Sequence, residues 1–282
     1  MRFWKWMLIA MLSALFALGW MIGCGDDDDD DDDDSSATGS LEFVANGEDF
    51  IRDGFVGKTG WAITFDHFYV NIYGPTAYQV AEESLAVDDG KDAEIGIMPA
   101  HAGHSHTDIP EGSAHAALTG TYWTDLHEGT EPLLVGTVTD AAVGNYNYLN
   151  FDLTNSDSGD YAGYSIVMIG SASKDGDTVS FTIKLNTQLA FSGCHQEVDD
   201  ENAGVVAEGG TGSAEMTFHS DHLFGDYEDL GNPEGANPGA LGFQAFADLA
   251  VDGVVNIDQA EMEQQMDPDD YATFISAAYT LG

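Results

Sequence analysis

The sequence predicts a mainly β protein: an antiparallel β-sandwich or barrel-like domain with a small C-terminal helical segment. Three observations support this class. Roughly ten short segments carry apolar residues at every second position, glycine-rich stretches connect them, and no helix-like periodicity separates them before residue 227. The pattern favours an antiparallel sheet over a βαβ fold, in which helices alternate with strands.

The first 23 residues have the pattern of a secretory signal peptide. Arg2 and Lys5 precede an uncharged apolar run, Trp6 to Met21, that is short for a stable transmembrane helix. The run ends in Met21-Ile22-Gly23-Cys24, which resembles the lipobox of bacterial lipoproteins, with Met21 where Leu is usual. The resemblance implies that residues 1–23 are removed and that Cys24 carries a lipid such as palmitate. An ordinary signal peptide with an incidental cysteine is the alternative.

Residues 24–40 are predicted to be a disordered linker behind the lipidated cysteine. Nine consecutive aspartates, Asp26 to Asp34, repel one another and keep this segment extended in water, although weak Ca²⁺ binding is an alternative role. In lipoproteins of the kind this leader resembles, an Asp directly after the lipid-bearing cysteine retains the protein at the inner membrane. Gly25 takes that place here, so the resemblance implies anchoring at the outer membrane, on its periplasmic or its cell-surface face.

The remaining chain is predicted to form a β-sandwich domain at 41–226 and a segment of loop and helices at 227–282 that packs on it. The predicted strands are 41–44, 60–73, 77–85, 93–98, 117–123, 133–139, 146–154, 164–173, 178–187 and 213–219. Lys174 to Asp177 predict a hairpin turn. In strand 60–73 the apolar positions change phase at Asp66-His67, which indicates either a β-bulge or burial on both faces.

The net charge limits the partners. Removing the leader's two cations and the linker's nine aspartates from 7 Lys+Arg and 50 Asp+Glu leaves 5 and 41, a formal charge of −36. With no basic patch, the sequence predicts no nucleic-acid partner and disfavours binding to an anionic membrane surface. The acidity indicates either attraction of cations or solubility in a salty habitat, where charge is screened within about 10 Å.

Histidines cluster in one predicted loop, residues 99–116, and just after it. They are His101, His104, His106, His115 and His127. Imidazole nitrogen suits Zn and Cu, and the glycine, serine and proline between these histidines favour a flexible chelating loop. A solvated loop that happens to be rich in histidine is the alternative. In composition, this loop is similar to the His-rich periplasmic metal-binding proteins.

Four more residues extend the set of predicted ligands. His219 and His222 stand three apart at a predicted strand exit, and Asp221 between them is either a ligand or a carboxylate that orients an imidazole. A histidine pair hydrogen-bonded to backbone is the alternative reading. His67 is a further candidate because of the phase change beside it.

Apart from Cys24, Cys194 is the only cysteine in the sequence. Cys194 has three possible roles: a buried hydrophobic residue, a partner in an intermolecular disulfide, or a metal ligand. The adjacent His195 adds support to the role of metal ligand. We expect an ordered site that combines His219, His222 and either Cys194 or His195.

The C-terminal segment allows two interpretations of one stretch. Asp248, Asp252 and Asn256 resemble a shortened EF-hand calcium loop, in which Gln259 replaces the usual bidentate Glu and Glu261 compensates. Alternatively, Asp258 and Glu261 form a capping box for a helix at 259–265. A last helix is predicted to begin with Asp267 as N-cap and Pro268 at its first position.

These observations predict a lipid-anchored protein that binds a transition metal, Zn or Cu, for capture, buffering or delivery, with a metal transporter or outer-membrane receptor as partner. The alternative is a cell-surface adhesion or carbohydrate-binding sandwich whose contact face uses Tyr146, Tyr148 and Trp123. Because no nucleophile elbow, phosphate loop or dinucleotide fingerprint occurs, the sequence predicts no enzyme. A metal-dependent hydrolase or oxidase is the weaker third hypothesis.

Overall fold

The structure, a computed structural model, describes residues 37–81, 109–130, 132–195, 203–226, 237 and 239–282. The predicted signal peptide, Cys24, residues 25–36 of the linker and the predicted strand 93–98 lie outside them. The described chain is mainly β, with a curled sheet that forms a half-barrel and a short C-terminal helix. The predicted fold class is confirmed. None of the helices in the described ranges has the length and apolar character needed to cross a bilayer.

The elements are as follows. The strands are β1 (Thr38–Asn46), β2 (Phe55–Val56), β3 (Ala62–Gln79), β4 (Ala114–Ala117), β5 (Thr121–Asp125), β6 (Leu133–Ala142), β7 (Gly144–Asn145), β8 (Tyr148–Leu153), β9 (Ile166–Lys174), β10 (Asp177–Leu185), β11 (Leu189–His195), β12 (Val205–Val206), β13 (Thr211–Thr217) and β14 (Val254–Asp258). The helices are α1 (Glu48–Arg52), α2 (Asp221–Phe224), α3 (Gln244–Asp248), α4 (Gln259–Gln265) and α5 (Pro268–Ala278).

The largest sheet is built around β3. Its order is β11-β8-β3-β9-β10-β14, and the short strands β2, β4 and β5 also pair with β3. With 18 residues, β3 is about 60 Å long at 3.3 Å per residue, which is enough for several partners along each edge. A second sheet has the order β13-β1-β6, and β12 pairs with β7. In the second sheet β13 runs parallel to β1, so both strands leave the sheet at the same end.

Alternating side chains fill the core as predicted for the strongest strands. In β10, Val179, Phe181, Ile183 and Leu185 are buried, while Ser180 between them is exposed. The C-terminal helices cover one part of the core through a group of phenylalanines with ring centroids 4.9–6.2 Å apart. The group comprises Phe224, Phe243, Phe246 and Phe274. Each buried aromatic ring of this kind stabilises the fold by about 1.5–3 kcal/mol.

The predicted turn is confirmed, and of the two interpretations of the phase change at Asp66-His67 the structure has the bulge. Lys174 pairs with Asp177 across a two-residue turn in which Asp175 and Gly176 both have positive φ, 54° and 96°. The pairing of β3 with β9 shifts register between Phe65 and His67, which is the β-bulge. The shift keeps Phe68 in the core and leaves His67 half-buried.

Long-range pairing changes the element assignment at several places. The segment 227–282 contributes a strand as well as helices, because β14 pairs in parallel with β10. Strand β1 begins at Thr38, inside the predicted linker. Strand β11, which pairs with β8, lies outside the strands that the sequence predicts. These strands depend on partners far along the chain, and that pairing is not visible in local periodicity.

Candidate metal centre

Three distant parts of the chain meet at the end of the β13-β1-β6 sheet. The parallel pairing of β1 with β13 continues beyond the strands, where Phe218 N donates to Asn46 O at 2.8 Å. The next residue, His219, donates its backbone N–H to Leu281 O at 2.7 Å, which holds the C-terminal tail at the same place. The exit of β13 therefore lies between the start of α1 and the C-terminal tail.

The turn into α2 groups three potential ligands. His222 N donates to His219 O at 3.1 Å, and this turn places the two imidazoles face to face, with centroids 5.0 Å apart and planes 22° apart. Residues three apart on a helical turn lie on the same side. One ligand atom from each of His219, Asp221 and His222 lies within 4.8 Å of the others. The predicted pair and its intervening carboxylate thus converge.

Both imidazoles are held by their Nδ1 atoms. His219 Nδ1 lies 3.0 Å from Glu48 Oε2, and His222 Nδ1 donates to the carbonyl oxygen of Thr280. Because a carbonyl oxygen only accepts, the proton of a neutral His222 is on Nδ1 and its lone pair is on Nε2. Metal-binding histidines in proteins are usually oriented in this way, with the second ring nitrogen donating to a carboxylate or a backbone carbonyl. Ligation here would therefore use Nε2.

Glu48 is placed by an uncommon backbone conformation. Its φ is +53°, in the left-handed region that residues other than glycine rarely adopt. Its backbone N–H donates to the Asn46 side chain at 3.0 Å, and Arg52 donates to the same Asn46 oxygen at 2.7 Å. Strained backbone of this type clusters at functional sites in proteins.

The Asp221 carboxylate carries an unsatisfied oxygen. The residue is 9% exposed, and its Oδ2 accepts a hydrogen bond from Asn237. Its Oδ1 is buried and has no hydrogen-bond partner in the described chain, nor does the Oγ of the fully buried Ser220 beside it. Burying an unsatisfied polar atom costs about 1–3 kcal/mol, so such atoms call for a missing water, ion or functional role.

The carboxylates and imidazoles at this place shift one another's pKa values. The hydrogen bond with His219 lowers the pKa of Glu48, and the charge of Arg52 adds to this effect. Burial alone would lower the pKa of His219, but the hydrogen bond and charge of Glu48 and the charge of Asp221 outweigh burial and raise it. Burial raises the pKa of Asp221 despite the opposing effects of His222 and His219. The group of potential ligands thus contains two imidazoles and the carboxylate of Asp221, and the Glu48 carboxylate lies beside it on His219 Nδ1.

The structure does not bring Cys194 or His195 into this group. Cys194 lies on β11 beside a register shift, and burial raises the pKa of its thiol to about 11. Because the thiolate is the form that binds metals, a thiol with this pKa is a poor ligand at neutral pH. The His195 ring instead packs edge-on against Tyr148, with centroids 5.2 Å apart.

The remaining predicted ligands divide into two sets. His101, His104 and His106 lie outside the described residues. His115 is exposed on β4, and His67 pairs with Asp125 at a distance of 2.6 Å between Nδ1 and Oδ2. His127 follows β5 in a turn, with its backbone N–H on Asp125 Oδ1. Within the described ranges, none of these histidines belongs to a group of three potential ligands.

The EF-hand-like loop forms a different set of contacts. Asp258 and Glu261 form the predicted capping box at the start of α4, which is confirmed and which occupies the carboxylate of Glu261. Asp248 accepts a hydrogen bond from Gln244, and Asp252 lies at a tight turn with φ +51°. Asp248 and Asp252 form no three-ligand group among the described residues, and Asn256 lies on β14. Calcium binding here stays a prediction. The predicted last helix, with Asp267 as N-cap and Pro268 at its first position, is confirmed.

Sequence reasoning missed the residues that orient the predicted ligands. Glu48 lies 171 residues from His219, Thr280 lies 58 residues from His222, and Asn237 lies 16 residues from Asp221. No motif or spacing links them, because each contact is created by the packing of separate elements. The aromatic candidates for an adhesive face also separate: Tyr146 and Tyr148 are buried, whereas Trp123 is 37% exposed.

Comparison with protein-family models, with curated proteins and with solved structures gives no match to this chain. Evidence for function therefore comes from the arrangement of its own side chains.

Proposed function

We propose that this protein is a lipid-anchored protein of the bacterial envelope that binds a transition metal ion, Zn or Cu, through His219, Asp221 and His222. The observation that carries the proposal is the buried Asp221 Oδ1, which has no hydrogen-bond partner in the described chain and belongs to a carboxylate beside two oriented imidazoles. A bound cation would satisfy this oxygen. Imidazole and carboxylate together are suitable ligands for Zn, and imidazole is suitable for Cu.

The number of ligands favours capture and delivery over a purely structural role. Structural zinc sites are closed by four protein ligands, whereas sites with three keep a position for water or another molecule. The described residues supply three donors. A site of this kind allows the ion to exchange with a donor or acceptor protein, and we propose a metal transporter or outer-membrane receptor as that partner.

Metal titration of the full chain by calorimetry, with zinc sulfate and copper sulfate, tests the proposal. We expect one site tighter than about 1 mM, equivalent to about −4 kcal/mol, that is lost in both Asp221→Asn and His222→Ala. His115→Ala is the matched control, because it removes an exposed imidazole outside the group. Retention of this site in both Asp221→Asn and His222→Ala, or its absence from the unsubstituted chain, would refute the assignment.

The proposed anchor is tested separately. If Cys24 carries lipid, the protein incorporates labelled palmitate and fractionates with the outer membrane, and Cys24→Ser abolishes both. Incorporation of palmitate with inner-membrane fractionation would contradict the localisation that the resemblance implies, while leaving the metal site untouched.

A further inference from the structure

A second group of side chains, separate from the metal centre, forms an aromatic patch on the outer face of the main sheet. It consists of His67 and Tyr69 on β3, Trp123 on β5, and Tyr161 from the connection between β8 and β9. Tyr69 stacks on His67 at 5.1 Å and on Trp123 at 5.7 Å, both with planes 16° apart. Tyr161 contacts Tyr69 at 5.4 Å and Trp123 at 6.0 Å. Three separate chain segments therefore build one aromatic surface.

The β-bulge and a buried carboxylate fix the edge of this patch. After the register shift at Phe65/His67, His67 lies on the outer face, where its Nδ1 is 2.6 Å from Asp125 Oδ2. The other oxygen of Asp125 accepts from Phe68 N at 2.9 Å and His127 N at 3.2 Å, so this carboxylate is fully used inside the chain. The His67 side chain is still 45% exposed. Bulges often re-aim side chains beside binding sites.

Three polar atoms of the patch are unused within the described chain, unlike those of the buried Trp61 and Tyr146. Trp61 Nε1 donates to Gln244, and the Tyr146 hydroxyl donates to a backbone carbonyl. By contrast, Trp123 Nε1 and the hydroxyls of Tyr69 and Tyr161 make no hydrogen bond within the described residues. Rings that combine an apolar face with an unused polar atom are suited to ligands that have both characters.

Charge and ring orientation narrow the class of ligand. Among the described residues, no hydrogen bond, ion pair or ring contact of the patch involves Lys or Arg, and the carboxylates of Asp125 and Glu128 add to burial in raising the pKa of Tyr69. An anionic ligand would be repelled. The ring planes differ by only 16–36°, so their faces do not converge on a single centre as they would in a cage for a quaternary ammonium group.

We propose that the aromatic patch binds neutral carbohydrate. The apolar C–H face of a sugar ring would lie against the part of the Trp123 ring that is exposed, since the negative face of an aromatic ring attracts polarised C–H groups. Sugar hydroxyls would bond to Trp123 Nε1, the Tyr161 hydroxyl and His67 Nε2. The aromatic patch shares no residue with the metal centre, so the two proposals can be tested independently.

Affinity electrophoresis of the full chain in gels that contain neutral soluble polysaccharides tests the proposal. The probes are glycogen, laminarin, hydroxyethyl cellulose and galactomannan. We expect at least one to retard the protein, and we expect Trp123→Ala and Tyr161→Ala each to weaken that binding about tenfold, or ~1.4 kcal/mol. Trp123→Phe retains a ring and should recover part of the affinity. Tyr279→Ala, which removes a 50% exposed tyrosine at the end of α5, should bind as the unsubstituted chain does.

Three results would overturn the proposal. The first is no retardation by any of the four polysaccharides. The second is retardation that Trp123→Ala and Tyr161→Ala leave unchanged while circular dichroism shows both to be folded. The third is quenching of tryptophan fluorescence by tetramethylammonium chloride that Trp123→Ala abolishes, together with no response to polysaccharide, which would assign the patch to a cation instead.

Discussion

Removing the charge of Asp221 should stabilise the metal-free protein and at the same time abolish its metal binding. Burial raises the pKa of the Asp221 carboxyl, so this position disfavours the charged form, and desolvation of a buried polar group costs about 1–3 kcal/mol. Asparagine carries no charge and keeps a side-chain oxygen that can accept the hydrogen bond from Asn237. We therefore expect Asp221→Asn to raise the free energy of unfolding of the metal-free protein by about 1 kcal/mol, at the lower end of that range.

The same substitution should abolish stabilisation by metal. Zinc at 100 times its dissociation constant stabilises a one-site protein by about 2.7 kcal/mol. In a domain of this size each kcal/mol shifts Tm by about 2–4 °C, so the unsubstituted chain should gain about 5–11 °C. Thermal unfolding followed by circular dichroism, with and without zinc, measures both effects. A metal-free Asp221→Asn protein that is clearly less stable, or one that keeps the full zinc-dependent rise, would refute the reasoning.

Three further predictions follow from the packing. Glu48→Gln should weaken zinc binding about 10–100-fold in calorimetry, because Glu48 orients the His219 ring. Asp49→Asn, which changes an exposed carboxylate, should leave zinc binding unchanged. Equal effects of the two substitutions would contradict this role of Glu48. With a pKa of about 11, about one-thousandth of Cys194 should be thiolate at pH 8. The folded protein should therefore react slowly with a disulfide reagent, and the unfolded protein should react fast. A fast reaction of the folded protein would show that the Cys194 thiol is not buried. Phe246→Ala should lower the free energy of unfolding by about 3–5 kcal/mol in urea, and Tyr279→Ala by under about 0.5.

Features set by neighbouring residues were predictable from the sequence. The turn at Lys174–Asp177 needs two positive φ values, which Asp and Gly supply. The phase change at Asp66-His67 indicated either a bulge or burial on both faces, and the structure has the bulge. Asp258 with Glu261 predicted the capping box at the start of α4. In each case the energetic cause lies within a few residues, so the local pattern contains it.

The candidate metal centre was predictable only in part. The motif His219-Ser220-Asp221-His222 already places three donors within one turn of chain, and the structure keeps them together. The sequence also predicts Cys194 or His195 as a further ligand, but β11 pairs with β8 and neither residue belongs to the three-ligand group of the described chain. The choice among competing ligands was therefore made by strand pairing.

The sequence by itself determined the mainly β class, the turns and caps, and the short ligand motif at the end of β13, since all of these depend on contacts between close neighbours. Tertiary structure alone decided which distant groups complete the centre. Parallel pairing of β1 with β13 brings Glu48 to His219, and the C-terminal tail brings Thr280 to His222. The physical reason is that packing is driven by hydrophobic burial, which has no preferred direction. Many residues together decide which distant groups become neighbours, so no local sequence pattern specifies these partners.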